Sequence, residues 1–327
     1  MIRRTLRLLA VTALVVPAAG ACATTPSGSV GSNLSVQRAV AHDPSAAFAA
    51  TGRQQPCGWE QHTTYRHVIW IWMENRSYRQ ILGNNGGATH LASYAKACGT
   101  ATDYDAVRHP SLPNYVAATS GSTHGITSDC DPGSCPVAGT SLFGQLDAAG
   151  KAGWVAYAEN MKQPCDTRSY GKYAARHNPA VYYTALHASC RAHDLPMGAT
   201  GGRFARHLAA GHLPGFTFIA PNLCDDGHDC STKTADSWLG YWLKQITTSP
   251  LYRAGKTVVF VTWDENDYSA PSNQVATVVI GPTVVAGTRS HRHFTHYSLL
   301  GTTEDLLGVA RLRNARTAAS LGATFNL

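Results

Sequence analysis

Thr262-Trp263-Asp264-Glu265-Asn266-Asp267 follows directly on Lys256-Thr257-Val258-Val259-Phe260-Val261, a short apolar run rich in β-branched residues. That run has the pattern of a strand buried on both faces of a parallel sheet. Open α/β sheets bind ligands beyond the carboxyl ends of their strands. Carboxylates placed there are costly to bury unless positive charge sits among them, and a divalent metal ion supplies it. The same letters would also serve as a polar loop capping a helix. A second run decides between the two: His67-Val68-Ile69-Trp70-Ile71-Trp72-Met73 is apolar and leads straight into Glu74-Asn75-Arg76-Ser77. Two buried strands that both end in oxygen ligands point to one shared site.

The same alternation extends outward from these strands. Trp154–Glu159, Gly215–Ala220 and Val275–Gly281 read as further strands. Thr89–Ala97, Ser141–Ala149, Gly201–Ala210, Ala235–Thr247 and Ser298–Leu307 read as helices. Trp238, Leu239, Trp242 and Leu243 mark an apolar helical face. Trp70, Trp72, Trp238 and Trp242 are most simply core. Residues 160–200, polar and rich in Tyr, His and Cys, read as a long insertion over one face that selects substrate. The expectation is an α/β fold: three α/β/α layers around a mainly parallel central sheet.

The 327 residues are 44% hydrophobic and 14% charged, as in a compact enzyme rather than a disordered or coiled chain. The formal charge of +7, or +4 without Arg3, Arg4 and Arg7, suits anionic substrates. No long basic run is present, so nucleic acid is not an expected partner. Residues 1–21 read as an export signal: a basic start, an apolar Leu8–Val16 too short to span a bilayer, then small residues. Ala19-Gly20-Ala21-Cys22 fits either simple cleavage or a bacterial lipobox, with membrane attachment through a lipidated Cys22. Residues 22–56 read as a flexible tether, and the catalytic domain as 57–327. The other eight cysteines suit an oxidising compartment. Cys130–Cys135 and Cys224–Cys230 read as small closed loops, with Cys57–Cys98 and Cys165–Cys190 completing the set by default. No CxxC pair supports a zinc site.

Chemistry concentrates at the strand ends. In His109-Pro110-Ser111-Leu112-Pro113-Asn114-Tyr115, Pro113 suits a first helical turn and Gly121 an end, which sets Ser111 at a helix N-terminus where anions bind. Its hydroxyl is either a helix cap or a nucleophile. Asn222 through His228 end another strand, and His291, His293 and His296 lie in a His-rich loop. Carboxylates for a cation, a hydroxyl, an imidazole acid and amide donors together make the set for metal-assisted phosphoryl transfer.

At these residues the chain resembles the bacterial phosphoesterase family of the alkaline phosphatase superfamily, which contains phospholipases C and metal-dependent acid phosphatases. The segments that carry the resemblance are His67 to Tyr78, His109 to Tyr115, Pro221 to Asp229, Thr262 to Glu265 and Thr295 to Leu300, in the family's order. Ser111 to Tyr115, followed by Gly121 and His124-Gly125-Ile126, also resembles the nucleophile segment of nucleotide pyrophosphatases.

The resemblance implies an alkaline-phosphatase-like fold and a divalent metal ion bound by Glu74, Asn75, Ser111, Asp264 and Glu265. It implies Ser111 as nucleophile and His228 and His296 as acid/base or phosphate groups. Asn75, Asn114, Asp129 and His109 are the candidates for holding a small phosphate ester. Asn222 stands where an Asp ligand is expected, so a second metal is left open. The chain ends soon after Gly308, which favours the acid-phosphatase branch over phospholipase C. The expected activity is an exported, metal-dependent phosphomonoesterase. Its rivals are a phosphodiesterase using the same residues and a surface-anchored binding protein.

Overall fold

The computed structural model describes residues 55–150, 153–270 and 272–327. The expected signal at 1–21, Cys22 and nearly all of the tether lie outside them. Ten strands follow in chain order: β1 (His67–Met73), β2 (Gly99–Ala101), β3 (Tyr104–Asp105), β4 (Trp154–Ala158), β5 (Asp194–Pro196), β6 (Phe216–Ala220), β7 (Thr257–Trp263), β8 (Thr277–Ile280), β9 (Thr288–Ser290) and β10 (Phe294–Thr295). Eight of them form one sheet in the order β5-β4-β6-β1-β7-β8-β2-β9, and β3 pairs with β10 separately. Within the large sheet only β8 runs against its neighbours. The fold is therefore α/β with a mainly parallel sheet.

β1 and β7 occupy the middle because their side chains are apolar on both faces, and Val68–Met73 and Val258–Val261 are fully buried. Trp70 and Trp72, two residues apart, share one face. There Trp70 Nε1 donates to Thr303 Oγ1 at 3.0 Å, and the Trp72 ring lies 5.6 Å from Tyr115 and 4.9 Å from His296. Helices Ser111–Ser120 and His296–Leu307 thus cover that face and pack on each other. Ile69 and Ile71 point the other way and are equally buried, so both faces are covered. Helices Thr89–Ala97 and Thr232–Thr247 form another packed pair.

The parallel register sets Trp72 beside Thr262 and Met73 beside Trp263. One step further along both strands, Glu74 comes beside Asp264, and the Asp264 amide donates to Met73 O at 3.0 Å. All four expected disulfides form: Cys57–Cys98, Cys130–Cys135, Cys165–Cys190 and Cys224–Cys230. The stretch 160–200, read as an insertion over one face, folds as short turns and one short helix and contributes β5 to the edge of the main sheet.

Candidate active site

Ser111 is the first residue of its helix, and every residue of that helix from Ser111 to Ser120 is buried. The helix ends at Gly121, where φ is +78° and a Cβ would meet Leu312 O at 2.6 Å. Only glycine fits both the left-handed turn and that close approach. The Ser111 hydroxyl donates towards Glu74 Oε2 at 3.1 Å, Glu265 Oε1 at 3.3 Å and Asn75 Oδ1 at 3.5 Å. Asn75 reaches this position through a left-handed backbone, φ 38°, which Asn tolerates better than most residues. Its amide N–H then donates to Asp264 Oδ1 at 3.1 Å. The predicted ligands Glu74, Asn75, Ser111, Asp264 and Glu265 are thus brought to one place at the ends of β1 and β7.

Their electrostatics fit a cation. Glu74, Asp264 and Glu265 are almost fully buried, and the ion pairs to Glu74 and Glu265 come from imidazoles. Burial, then the charges of Asp264 and Asp226, hold Glu74 well above the usual carboxylate range. Burial raises Asp264 to about 7, and burial with the Asp264 charge raises Glu265 to about 9. Burial and mutual repulsion of the carboxylates are what a bound cation would offset. The Asn75 amide lies between the carboxylates: with its nitrogen turned towards them it donates to Glu74 Oε2 at 2.7 Å and Asp264 Oδ1 at 3.2 Å. The donor set, all oxygen, suits a hard divalent ion.

Around this centre the sequence-predicted residues separate. His109 Nδ1 lies 2.5 Å from Glu265 Oε2, and its ring stacks on the exposed Tyr268 at 3.9 Å. Burial lowers its basicity. Asp129 Oδ1 accepts the Leu112 amide at 2.9 Å, so this carboxylate already fills the anion position at the helix N-terminus. It would repel a phosphate rather than hold it. Asn114 is turned away from the site. Its Oδ1 accepts from the amides of Val107 and Arg108, and its Nδ2 donates to the carbonyls of Arg108 and Pro110. With its polar atoms taken, Asn114 braces the loop that delivers Ser111 and is not free to bind substrate. His296 is fully buried behind the site. Its Nε2 lies 2.7 Å from Asp264 O and its Nδ1 3.1 Å from the Tyr104 hydroxyl, and burial lowers its pKa to about 4. It positions Asp264 and is not an acid facing substrate. His228 is partly exposed, with Nδ1 2.7 Å from Asp229 Oδ1.

Sequence reasoning missed His177 and Arg176 here, and gave Tyr115 and Asp226, both within quoted motifs, no definite role. His177 is fully buried, with Nε2 3.4 Å from Glu74 Oε2 and Nδ1 3.4 Å from Asp226 Oδ2; neither Nε2 nor that Oδ2 has a hydrogen bond. Burial, then the Arg176 charge, keeps its pKa well below the usual value, while burial raises Asp226 to about 7. The His177 ring stacks on Tyr115 at 5.4 Å and lies 6.1 Å from His228. Tyr115, one helical turn after Ser111, donates its hydroxyl to Glu74 Oε1. Arg176 Nε lies 3.4 Å from Asp129. For Arg176 and His177 the only signal was an Arg-His-Asn-Pro run within the stretch read as an insertion over one face.

Comparison with known proteins bears on the family and the fold. The Phosphoesterase family matches over residues 85–310. A phosphatidylinositol-3-phosphatase of Mycobacterium tuberculosis is 32% identical over 78% of this chain and 81% of its own. An acid phosphatase of Aspergillus fumigatus is 27% identical over 84% of this chain and 63% of its own, and a phosphate-repressible acid phosphatase of Penicillium chrysogenum 27% over 77% and 61%. The chain thus spans about three-fifths of these fungal relatives. Among solved structures, a protein in the alkaline phosphatase superfamily from Vibrio parahaemolyticus superposes with TM-score 0.53 at 12% identity, covering 79% of this chain and 71% of that one. The lipoteichoic acid synthase LtaP from Listeria monocytogenes gives TM-score 0.54 at 9% identity, over 78% and 77%. These two likenesses concern the fold alone. The chain belongs to the Phosphoesterase family and is a phosphoric ester hydrolase.

Proposed function

We propose that the protein is an exported, metal-dependent phosphomonoesterase that works through a phosphoserine at Ser111. The observation that carries this is the Ser111 hydroxyl, first in a buried helix and 3.1 to 3.5 Å from oxygens of Glu74, Glu265 and Asn75. A divalent ion held by Glu74, Asn75, Ser111, Asp264 and Glu265 supplies charge for the phosphoryl oxygens and lowers the pKa of the attacking hydroxyl.

The chain's own residues account for the remaining steps. Ser111 Oγ already donates to two carboxylates, so its proton has acceptors as Oγ bonds to phosphorus and the ester P–O bond breaks. The departing alcohol oxygen takes a proton from His228, the partly exposed imidazole beside His177. Water then adds to phosphorus and gives a proton to His228, the bond from phosphorus to Oγ breaks, Oγ takes back its proton from the carboxylate that held it, and inorganic phosphate is released. Arg176, beside the Ser111 helix N-terminus, balances the anion in place of Asp129. His177 packs against Tyr115, which holds one Glu74 oxygen, so Glu74 presents the other to Ser111.

Four disulfides support maturation in an oxidising compartment, and the export signal read at 1–21 is consistent with that. Lipidation at Cys22 is part of the same proposal. Among the described residues no helix is long and apolar enough to cross a membrane. The named activity of the Mycobacterium relative makes a phosphoinositide monoester a reasonable natural substrate to assay.

The test is hydrolysis of an aryl phosphate monoester, the matching diester and lecithin, with chelator and then added divalent metals, by wild type and Ser111→Ala. Chelator-sensitive monoesterase activity lost in Ser111→Ala, with a trapped phosphoserine in the wild type, is the expected result. Activity confined to the diester or lecithin would move the protein to the phospholipase C side. Substantial turnover by Ser111→Ala would remove the covalent step.

A further inference from the structure

The loop from Asn222 to Cys230 has two working sides. On one, the Asp226 carbonyl accepts the Glu74 amide at 3.0 Å and its carboxylate approaches His177. On the other, its chain neighbour Asp225 lines a separate groove of about 650 Å³, together with Glu159, Lys233, Ser237, Trp238 and Tyr241. The Cys224–Cys230 bridge closes the loop. None of the groove residues takes part in the chemistry assigned to Ser111.

We propose that this groove binds a neutral, hydroxyl-rich ligand, a sugar or polyol ring, as a site distinct from the phosphate position. Trp238 and Tyr241 are three residues apart on helix Thr232–Thr247 and so share a face. Trp238, expected in the core, is only partly buried, and Tyr241 is 37% exposed. Aromatic surface left open in a groove suits the C–H faces of a ring. Hydrogen-bond acceptors stand beside it, already oriented. Glu159 accepts from Trp238 Nε1 at 3.3 Å, from the Asn222 amide at 3.1 Å and from Asn222 Nδ2 at 3.0 Å. The same Asn222 Nδ2 donates to Asp225 Oδ2 at 2.7 Å, so one amide locks both carboxylates. Their remaining lone pairs accept from donors that hydroxyl groups supply.

Charge selects against the alternatives. Two carboxylates against one ammonium, Lys233, disfavour an anion, so the groove does not duplicate the phosphate site. Lys233 also opposes a cation. Burial raises Glu159 to about 7, which removes much of its charge in mildly acidic solution, and the other lining charges are one Asp225 carboxylate and one Lys233 ammonium.

The experiment is a titration of the full chain with glycerol, myo-inositol and glucose, followed by tryptophan fluorescence and calorimetry. Saturable binding of at least one is expected. Binding should weaken about tenfold in Tyr241→Ala, the loss of one stacking partner. Asp225→Ala should weaken it similarly, and Ser111→Ala should bind as wild type. Tyr241 packs edge-on against Trp242 at 5.0 Å and its hydroxyl lies 3.5 Å from Thr200 O, so circular dichroism and melting are checked for Tyr241→Ala, and Asp225→Ala provides a second route if its fold is disturbed. No binding of any of the three would overturn the proposal. So would binding that persists in both groove variants, or displacement of the fluorescence signal by tetramethylammonium alone. Binding is read without turnover, so failure here leaves the phosphatase assay untouched, and loss of phosphatase activity leaves this site untouched.

Discussion

Replacing Asn114 by Ala tests the claim that this residue positions the nucleophile and does not touch substrate. The side chain is fully buried and makes four hydrogen bonds, at 3.0 and 2.9 Å as acceptor and 2.7 and 3.2 Å as donor. A typical bond of this kind contributes about 1 kcal/mol net, and a buried group left unpaired costs about 1–3 kcal/mol. Arg108 is exposed, so water can replace part of what its backbone loses. Val107 and Pro110 are less accessible. The expected destabilisation is therefore about 2–4 kcal/mol, a large share of a stability of about 5–15 kcal/mol. Urea unfolding with disulfides intact would show a lower midpoint at unchanged slope. With the 107–110 loop loosened, kcat for an aryl phosphate should fall while KM changes little. A stability loss under about 1 kcal/mol, or a raised KM at unchanged kcat and stability, would refute the bracing role and restore Asn114 as a substrate ligand.

Further outcomes follow from the same geometry. In His296→Phe the bonds to Asp264 O and Tyr104 are lost, so stability should fall by about 2 kcal/mol. Residual activity should keep the wild-type pH profile, and disappearance of one limb of that profile would instead make His296 the catalytic acid. Divalent metal at about 100 times its Kd should stabilise the chelated protein by about 2.7 kcal/mol. That gain should vanish in Asp264→Asn, and a metal response surviving there would place the ion elsewhere. Asp194 is fully buried beside Asn178, and burial raises its carboxyl from 3.8 to about 7. Its contribution to stability is therefore present below about pH 4 and lost as pH rises through about 7. Melting temperatures of wild type and Asp194→Asn should diverge across that window, with wild type falling further. Parallel curves would show that Asp194 does not titrate there.

The sheet was legible because its central strands are apolar on both faces and stop abruptly at carboxylates. β1 matches its reading residue for residue, and β7 runs two residues past the Val261 boundary. The Glu74, Asn75, Ser111, Asp264 and Glu265 cluster was legible for the same reason: each residue stands at an element end. Where sequence reading failed, orientation was at stake. Asn114 and His296 carry the right chemistry near the right motif, yet a helix turns one towards a backbone loop and packs the other behind Trp72. His177 was hidden for the opposite reason. It sits between short turns with no periodicity, and only the packing against Tyr115 brings it inward. β8 likewise has no pattern that distinguishes an antiparallel from a parallel buried strand.

The pairing of β1 with β7 has a consequence for the order in which the molecule can be made. Residues 67–73 find their partners at 216–219 and 257–263, so the middle of the sheet cannot close until most of the polypeptide has emerged. Contacts of such long range are slow to form, because loop closure must precede any stabilisation they bring. Until then Glu74 at the end of β1 lacks its Asp264 neighbour and remains in water. A chain assembled this way gains the oxygen cluster around Ser111 only late in its synthesis.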